Sequence, residues 1–280
     1  MLSLVSLLLF AAPEARAYVD PACEGQTQAL DDQGQQDFLL NFFALATTFS
    51  PLHGPVPHEP GHGSIGLRVS VIPPLSCERR LVLDSTKTED TNKAPVAPQP
   101  TLTFAFPKLG PAVVYGGVGY VPPVTVFGTR NVIMSGEVGV GFPLENGLEL
   151  GARYHATLMK TIAEIATPFV EGDPAYDDFF SGSTLGFDLM AGYNVKGVKP
   201  YVAVGVLDAS TFFLVGDDIY IGESTTPFLG LATSVGAQTL LLNDRLNLAA
   251  EFYTAYDAIP PIQESEGRIF TGRARVGFEF

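Results

Sequence analysis

The stretch Arg268-Ile269-Phe270-Thr271-Gly272-Arg273-Ala274-Arg275-Val276-Gly277-Phe278-Glu279-Phe280 decides the fold of this 280-residue chain. Phe270, Gly272, Ala274, Val276, Phe278 and Phe280 share one parity; Ile269, Thr271, Arg273, Arg275, Gly277 and Glu279 share the other. Side chains alternate faces along a strand with period two, so one face is apolar and the opposite face carries three charges. In a soluble sandwich the apolar face would be the core, and a strand would seldom stop on a bare aromatic.

That ending resembles the C-terminal assembly signal of bacterial outer-membrane β-barrels, an aromatic last residue preceded by alternating apolar residues. The resemblance implies lipid against the apolar face and a polar lumen behind the charged one. It also implies an outer-membrane location, with the bilayer and the outer-membrane assembly machinery as partners. At the other end, Leu2 to Ala12 is an apolar run broken only by Ser3 and Ser6, followed by Ala15-Arg16-Ala17. Small residues at Ala15 and Ala17 suit signal-peptidase cleavage before Tyr18, so residues 1–17 read as a signal peptide, although no basic residue precedes the run. The run is too short to span a bilayer as a helix.

Composition agrees with an exported barrel. Charged residues are only 16% and apolar ones 46%, yet no apolar run of 18 or more follows the signal. Twenty-nine glycines and 22 prolines favour strands and turns over helices. The net charge of −14 survives cleavage, because Glu14 and Arg16 cancel in the removed segment. Without a basic stripe, nucleic-acid binding is excluded as a reading. Trp is absent, so an aromatic girdle must use Tyr and Phe.

Between Ser64 and Phe280 the chain divides into alternating segments of about 9–12 residues, the length a tilted membrane strand needs. They are 64–72, 101–107, 112–121, 130–142, 147–158, 183–194, 199–210, 226–241, 246–257 and 268–280. Short turns follow every second segment, at 108–111, 143–146, 195–198 and 242–245. Longer loops follow the others, at 73–100, 122–129, 159–182, 211–225 and 258–267. Strict short–long alternation is what periplasmic turns and extracellular loops produce. The expectation is an all-β, transmembrane, up-and-down antiparallel barrel of ten strands over residues 63–280. Twelve strands follow if 122–129 or 211–225 hides a hairpin.

The alternation assigns faces. Leu148, Leu150, Ala152, Tyr154, Ala156 and Leu158 face lipid, as do Leu185, Phe187, Leu189, Ala191 and Tyr193, and Leu248, Ala250, Phe252 and Tyr256. The lumen then holds Arg68, Arg153, Arg273 and Arg275 against Glu137, Glu149, Asp188, Glu251 and Glu279. Near-balanced charge in a narrow interior predicts a paired network, since each unpaired buried charge costs several kcal/mol. Inward glycines at 66, 139, 141, 151, 186, 192 and 277 leave room for something besides barrel side chains.

Residues 18–62 form a separate periplasmic or plug segment. Phe38, Phe42, Leu45 and Phe49 recur at helical spacing, predicting a short helix over about 37–49, with Pro51 after its end. The helix either enters the lumen as a plug or lies along the periplasmic membrane face. Cys23 and Cys77 are the only cysteines, and both meet an oxidising compartment after export. They can form a disulfide only if the N-terminal segment threads the lumen.

His58-Glu59-Pro60-Gly61-His62 matches the zinc-protease string His-Glu-x-x-His, which needs a helix to bring both imidazoles to one metal. Pro57, Pro60, Gly61 and Gly63 forbid that helix and predict a turn instead. No metal or cofactor is expected. His155 is the sole histidine in the strands and has no neighbouring nucleophile in sequence, so no enzyme activity is expected either. The reading is a monomeric barrel acting as a narrow pore or transporter for small molecules, hydrophobic ones included, gated by its N-terminal segment. The alternative is a closed structural or adhesive barrel working through acidic loops at 159–182 and 211–225.

Overall fold

The computed structural model describes residues 45, 48, 52–73, 82–83, 87–89, 96–107, 109–126, 129–163, 166–168, 178–215, 219–222, 228–257 and 269–280. In chain order its strands are β1 (Gly63–Val71), β2 (Val82–Leu83), β3 (Lys87–Glu89), β4 (Val96–Ala105), β5 (Val113–Val126), β6 (Thr129–Pro143), β7 (Leu148–Ala163), β8 (Ala166–Pro168), β9 (Asp178–Tyr193), β10 (Val198–Val215), β11 (Ile219–Gly222), β12 (Phe228–Leu241), β13 (Leu246–Asp257) and β14 (Ile269–Glu279). Ten of them make one antiparallel sheet in the order β1-β4-β5-β6-β7-β9-β10-β12-β13-β14. The seam between β14 and β1 closes it, with Arg68 opposite Arg275 and Ser70 opposite Arg273. A closed sheet leaves no unpaired edge, as a strand in hydrocarbon requires.

The remaining four strands lie at the loop end. β2, β3 and β8 form a small sheet of their own. β11 pairs with Phe212–Val215, beyond the part of β10 that β12 takes, so the hairpin within 211–225 adds nothing to the barrel count of ten.

Several strands outrun their expected limits at this end. β5 continues to Val126 and β6 starts at Thr129, which turns the expected loop at 122–129 into a tight hairpin. A register shift between Val121 and Val124 accommodates Pro122 and Pro123, which cannot donate to the ladder. β4, β7, β9 and β10 also extend past the alternating segments. Beyond the lipid, hydrogen bonding can continue without an apolar face, so alternation underestimates strand length there.

The outward face is apolar through the middle of the wall. Leu189 and Val138 are about 60% exposed, as are Ile65, Leu158, Phe252 and Phe278. On a water-soluble protein so continuous a surface would drive association; here it is a lipid belt. Phe104, Phe106, Phe142, Tyr193, Phe278 and Phe280 mark its turn end, while Tyr120, Tyr256 and Phe270 stand nearer the loops. The short turns use left-handed backbone. Leu242, Asn243 and Asp244 all have φ between 55° and 62°, and Lys196 precedes Gly197 in the same region.

Candidate functional site in the lumen

The lumen is crossed by its own N-terminal approach. Residues 52–58 are all buried and run inside the wall before the chain turns at 59–62 to start β1. Gly61, at φ 87°, makes that turn: its N–H donates to the Ala105 carbonyl, and the His62 N–H donates to the Glu59 carbonyl at 3.0 Å. The His-Glu-x-x-His string is therefore a turn, and its two imidazoles do not share a helical face.

Why this strap fits can be read from its partners. Pro55 seats in a notch of three inward glycines. A β-carbon added at Gly151 would lie 3.0 Å from Pro55, one at Gly192 would lie 2.9 Å from it, and one at Gly141 would run into its carbonyl. Gln238 clamps the strap from β12, its Oε1 accepting the Gly54 N–H at 2.9 Å and its Nε2 donating to the Pro57 carbonyl at 3.2 Å. Lys199 donates to the Val56 carbonyl at 3.4 Å. His53 places Nε2 3.1 Å from Glu137 Oε1 and packs edge-on against Tyr115. His58 meets Thr103 at 2.6 Å through Nε2 and Glu279 at 2.8 Å through Nδ1. Burial holds the His58 pKa below its ordinary 6.5, outweighing the Glu279 carboxylate that pulls the other way.

The nine charged positions expected in the lumen all face inward, but they divide between two kinds of partner. Arg153 donates to Asp188 at 2.7 Å, and Asp188 also faces His155 Nε2 at 3.4 Å. Glu251 lies opposite Arg273 in register, 3.7 Å away, and accepts from the Tyr201 hydroxyl at 3.1 Å. The Arg273 guanidinium also stacks 3.7 Å from the centre of the Tyr253 ring, a cation–π contact made dry by burial. Glu137, Glu149 and Glu279 instead take His53, Lys199 and His58, none of which belongs to the expected set. Arg275 donates to Ser64 and, at 3.4 Å, to Thr101. Arg68 is buried beside them, opposite Gln99 on β4.

Lys199 was legible in the sequence, since it shares the inward parity of Tyr201 and Ala203. His53 and His58 were not, because the strap has no periodicity. Other inward glycines serve the barrel itself: side chains at Gly139, Gly186 and Gly236 would strike Tyr115, His155 and Tyr201. The space expected for a foreign body is thus largely filled by wall residues, except at the Pro55 notch. His155 is spent on packing over Gly186 and on Asp188.

Further from the turns the inward surface changes character. Ile133, Met159, Phe180, Leu207, Ala209, Ala232, Ala255 and Ile269 are buried there, interleaved with the buried hydroxyls of Thr161, Thr184, Thr211 and Thr271, and among the described residues no charged side chain is buried with them. Met190 sits nearer the turns, with the Tyr115 hydroxyl 3.8 Å from its sulfur. Of the helix expected at 37–49, Leu45 and Thr48 are described; Leu45 is helical and both are fully buried. Phe38, Phe42, Phe49, the signal segment 1–17 and both Cys23 and Cys77 lie outside the described residues.

No family model matches this chain, and no curated protein matches it in sequence. Solved structures share the architecture. The translocator domain of the autotransporter NalP from Neisseria meningitidis is 10% identical over 80% of this chain and 89% of its own, with a TM-score of 0.52. The attachment invasion locus protein Ail of Yersinia pestis (10% identity, 79% and 99% covered, TM-score 0.35) and the toluene transporter TodX of Pseudomonas putida (13%, 90% and 78%, 0.38) also align. With its closed sheet and outward apolar belt, this chain has the fold of bacterial outer-membrane β-barrels.

Proposed function

We propose that the barrel is a gated receptacle and narrow conduit for small hydrophobic molecules, with the N-terminal segment as its gate. The observation that carries this reading is the layered lumen. An uncharged zone at the loop end, of apolar side chains from Ile133 to Ile269 interleaved with threonine hydroxyls, stands above a charged zone that the strap closes. An eight-stranded barrel is just wide enough to be filled by its own side chains or to hold one small ligand. Ten strands leave more room, and in the lower half the strap takes it up.

The strap's holds suit a gate. They are side-chain hydrogen bonds and ion contacts, each worth roughly 1–3 kcal/mol net, not ladder pairing. Pro55 and Pro57 lack N–H donors, which prevents the strap from adding to the sheet as a strand. Its withdrawal would expose Gln238, Glu137, Glu149 and Glu279, all polar enough to be wetted.

One observation favours a sealed barrel acting through its loops. The layer of Arg68, Arg153, Asp188, Glu251 and Arg273 is itself buried and is held by contacts among wall residues, Arg153 with Asp188 and Arg273 with Glu251. A variant lacking residues 18–58 separates the two readings. As a gated conduit it should remain a heat-modifiable barrel, conduct in planar bilayers where the intact protein does not, and bind an apolar fluorophore more strongly. If conductance and fluorophore binding are both unchanged, the barrel is sealed by its wall and the gate does not exist.

A further inference from the structure

A second site lies on the outside of the wall, at the loop end. The outward residues of β6, β7, β9 and β10 are apolar for most of their length and then change together. Phe142 to Met134 gives way to Val132 and Arg130, Leu158 to Lys160, Leu185 to Ser183 and Ser181, and Val206 to Asp208 and Ser210. Arg130 and Lys160 are near neighbours, because Lys160 stands opposite Val132 and Arg130 opposite Ile162. Two outward cations side by side are conspicuous on a chain of net charge −14.

Between them and β10 the surface sinks. Ser181 and Ser183 on β9 lie opposite Phe212 and Ser210, and these small side chains floor a groove of about 490 Å³. Val132, Met134 and Leu158 wall it on one side and Phe212 on the other. Lys160 lines the groove, with its ammonium 4.7 Å from the centre of the Phe179 ring. The Ser181 and Ser183 hydroxyls, given at 3.3 and 3.5 Å to the Met159 and Ser210 carbonyls, need only a rotation to face a ligand. Asp208, two residues below Ser210 on the same outward parity, lies outside the groove's lining.

We infer that this groove holds one outer-leaflet lipid through its headgroup phosphate, with Lys160 and Arg130 as counter-charges and an acyl chain running down past Leu158 and Met134. The loop end is the outer-leaflet side in barrels of this design. A cation at a membrane surface attracts anionic headgroups by about 1 kcal/mol each. Serines in place of bulky side chains give the headgroup a place to sink, and the lipid-facing residues below are already apolar. The site is independent of whether the lumen conducts.

The test uses the full-length barrel in an uncharged detergent, with bisphosphorylated lipid A as probe and native mass spectrometry and melting temperature as readouts. The intact protein should retain one lipid and melt higher in its presence. The pair Lys160→Gln and Arg130→Gln should weaken retention roughly thirtyfold, since two such attractions are lost. Ser183→Leu, which keeps both charges but fills the groove, should weaken it as well, while Lys196→Gln at a turn should not. The proposal is overturned if the glutamine pair or Ser183→Leu binds as tightly as the intact protein. Equal retention of dephosphorylated lipid A, or the same melting shift from inorganic phosphate alone, would also overturn it.

Discussion

Arg153 and Asp188 show what a charge inside this barrel depends on. Their contact is short and both are buried, so each relieves the desolvation of the other. Arg153→Met should destabilise the barrel by about 3–5 kcal/mol, because Asp188 is left uncompensated. Adding Asp188→Leu should recover part of that loss; unfolding in denaturant, followed by the shift in gel mobility, measures both. A coupling near zero would mean that His155 alone satisfies Asp188. His58 carries a pH dependence of defined sign. Its pKa is lower in the folded protein than in an unfolded chain, so the native state binds fewer protons there. Its contribution is full above about pH 6.5 and declines as pH falls below that value toward the folded pKa. The strap should therefore become more susceptible to protease as pH falls below 6.5, and His58→Gln should flatten that response.

At the scale of elements, the strands were legible and the strap was not. Leu185 to Tyr193 and Leu248 to Tyr256 alternate because lipid and lumen demand opposite chemistry, and such a demand writes itself into sequence. Their loop-end extensions, Thr161–Ala163 or Phe212–Val215, face no such demand and left no trace. The strap is held by single side chains scattered over β1, β4, β6, β10, β12 and β14, a set that no local pattern could collect. Its register does depend on one small feature, the notch for Pro55. Gly141→Leu should expel the strap while leaving the lipid face untouched, since position 141 points inward. A cysteine placed at Val56 should then react at least tenfold faster with a polar maleimide than in the parent. Unchanged reactivity would show that the strap can seat without the notch.

On the scale of the whole molecule, the short turns and long connections set its orientation. A cysteine at Asp177, in a background with Cys23 and Cys77 replaced by serine, should be labelled on intact cells by an impermeant reagent. One at Asn243, in the turn between β12 and β13, should be labelled only after the outer membrane is opened. The reverse pattern would invert the barrel and move Lys160 and Arg130 to the inner leaflet. Net charge −14 together with a lipid belt also predicts that the protein extracts poorly in water yet stays monodisperse in mild detergent.

The strap and the seam have a consequence for chronology. His58 is followed within five residues by Gly63, whose N–H donates to the carbonyl of Phe280 at 3.1 Å and whose carbonyl accepts the Phe280 N–H at 2.8 Å. The residues that leave the lumen are thus almost the same residues that zip the first strand to the last. That pairing joins positions more than 200 apart in the chain, the kind of contact that forms late. A curved sheet still open along that line offers the strap a trough to lie in; a finished ring offers only a narrow end. Closure and corking are then one event, and it implies that the protein enters the bilayer already stoppered. Opening would belong to its working life and not to its birth.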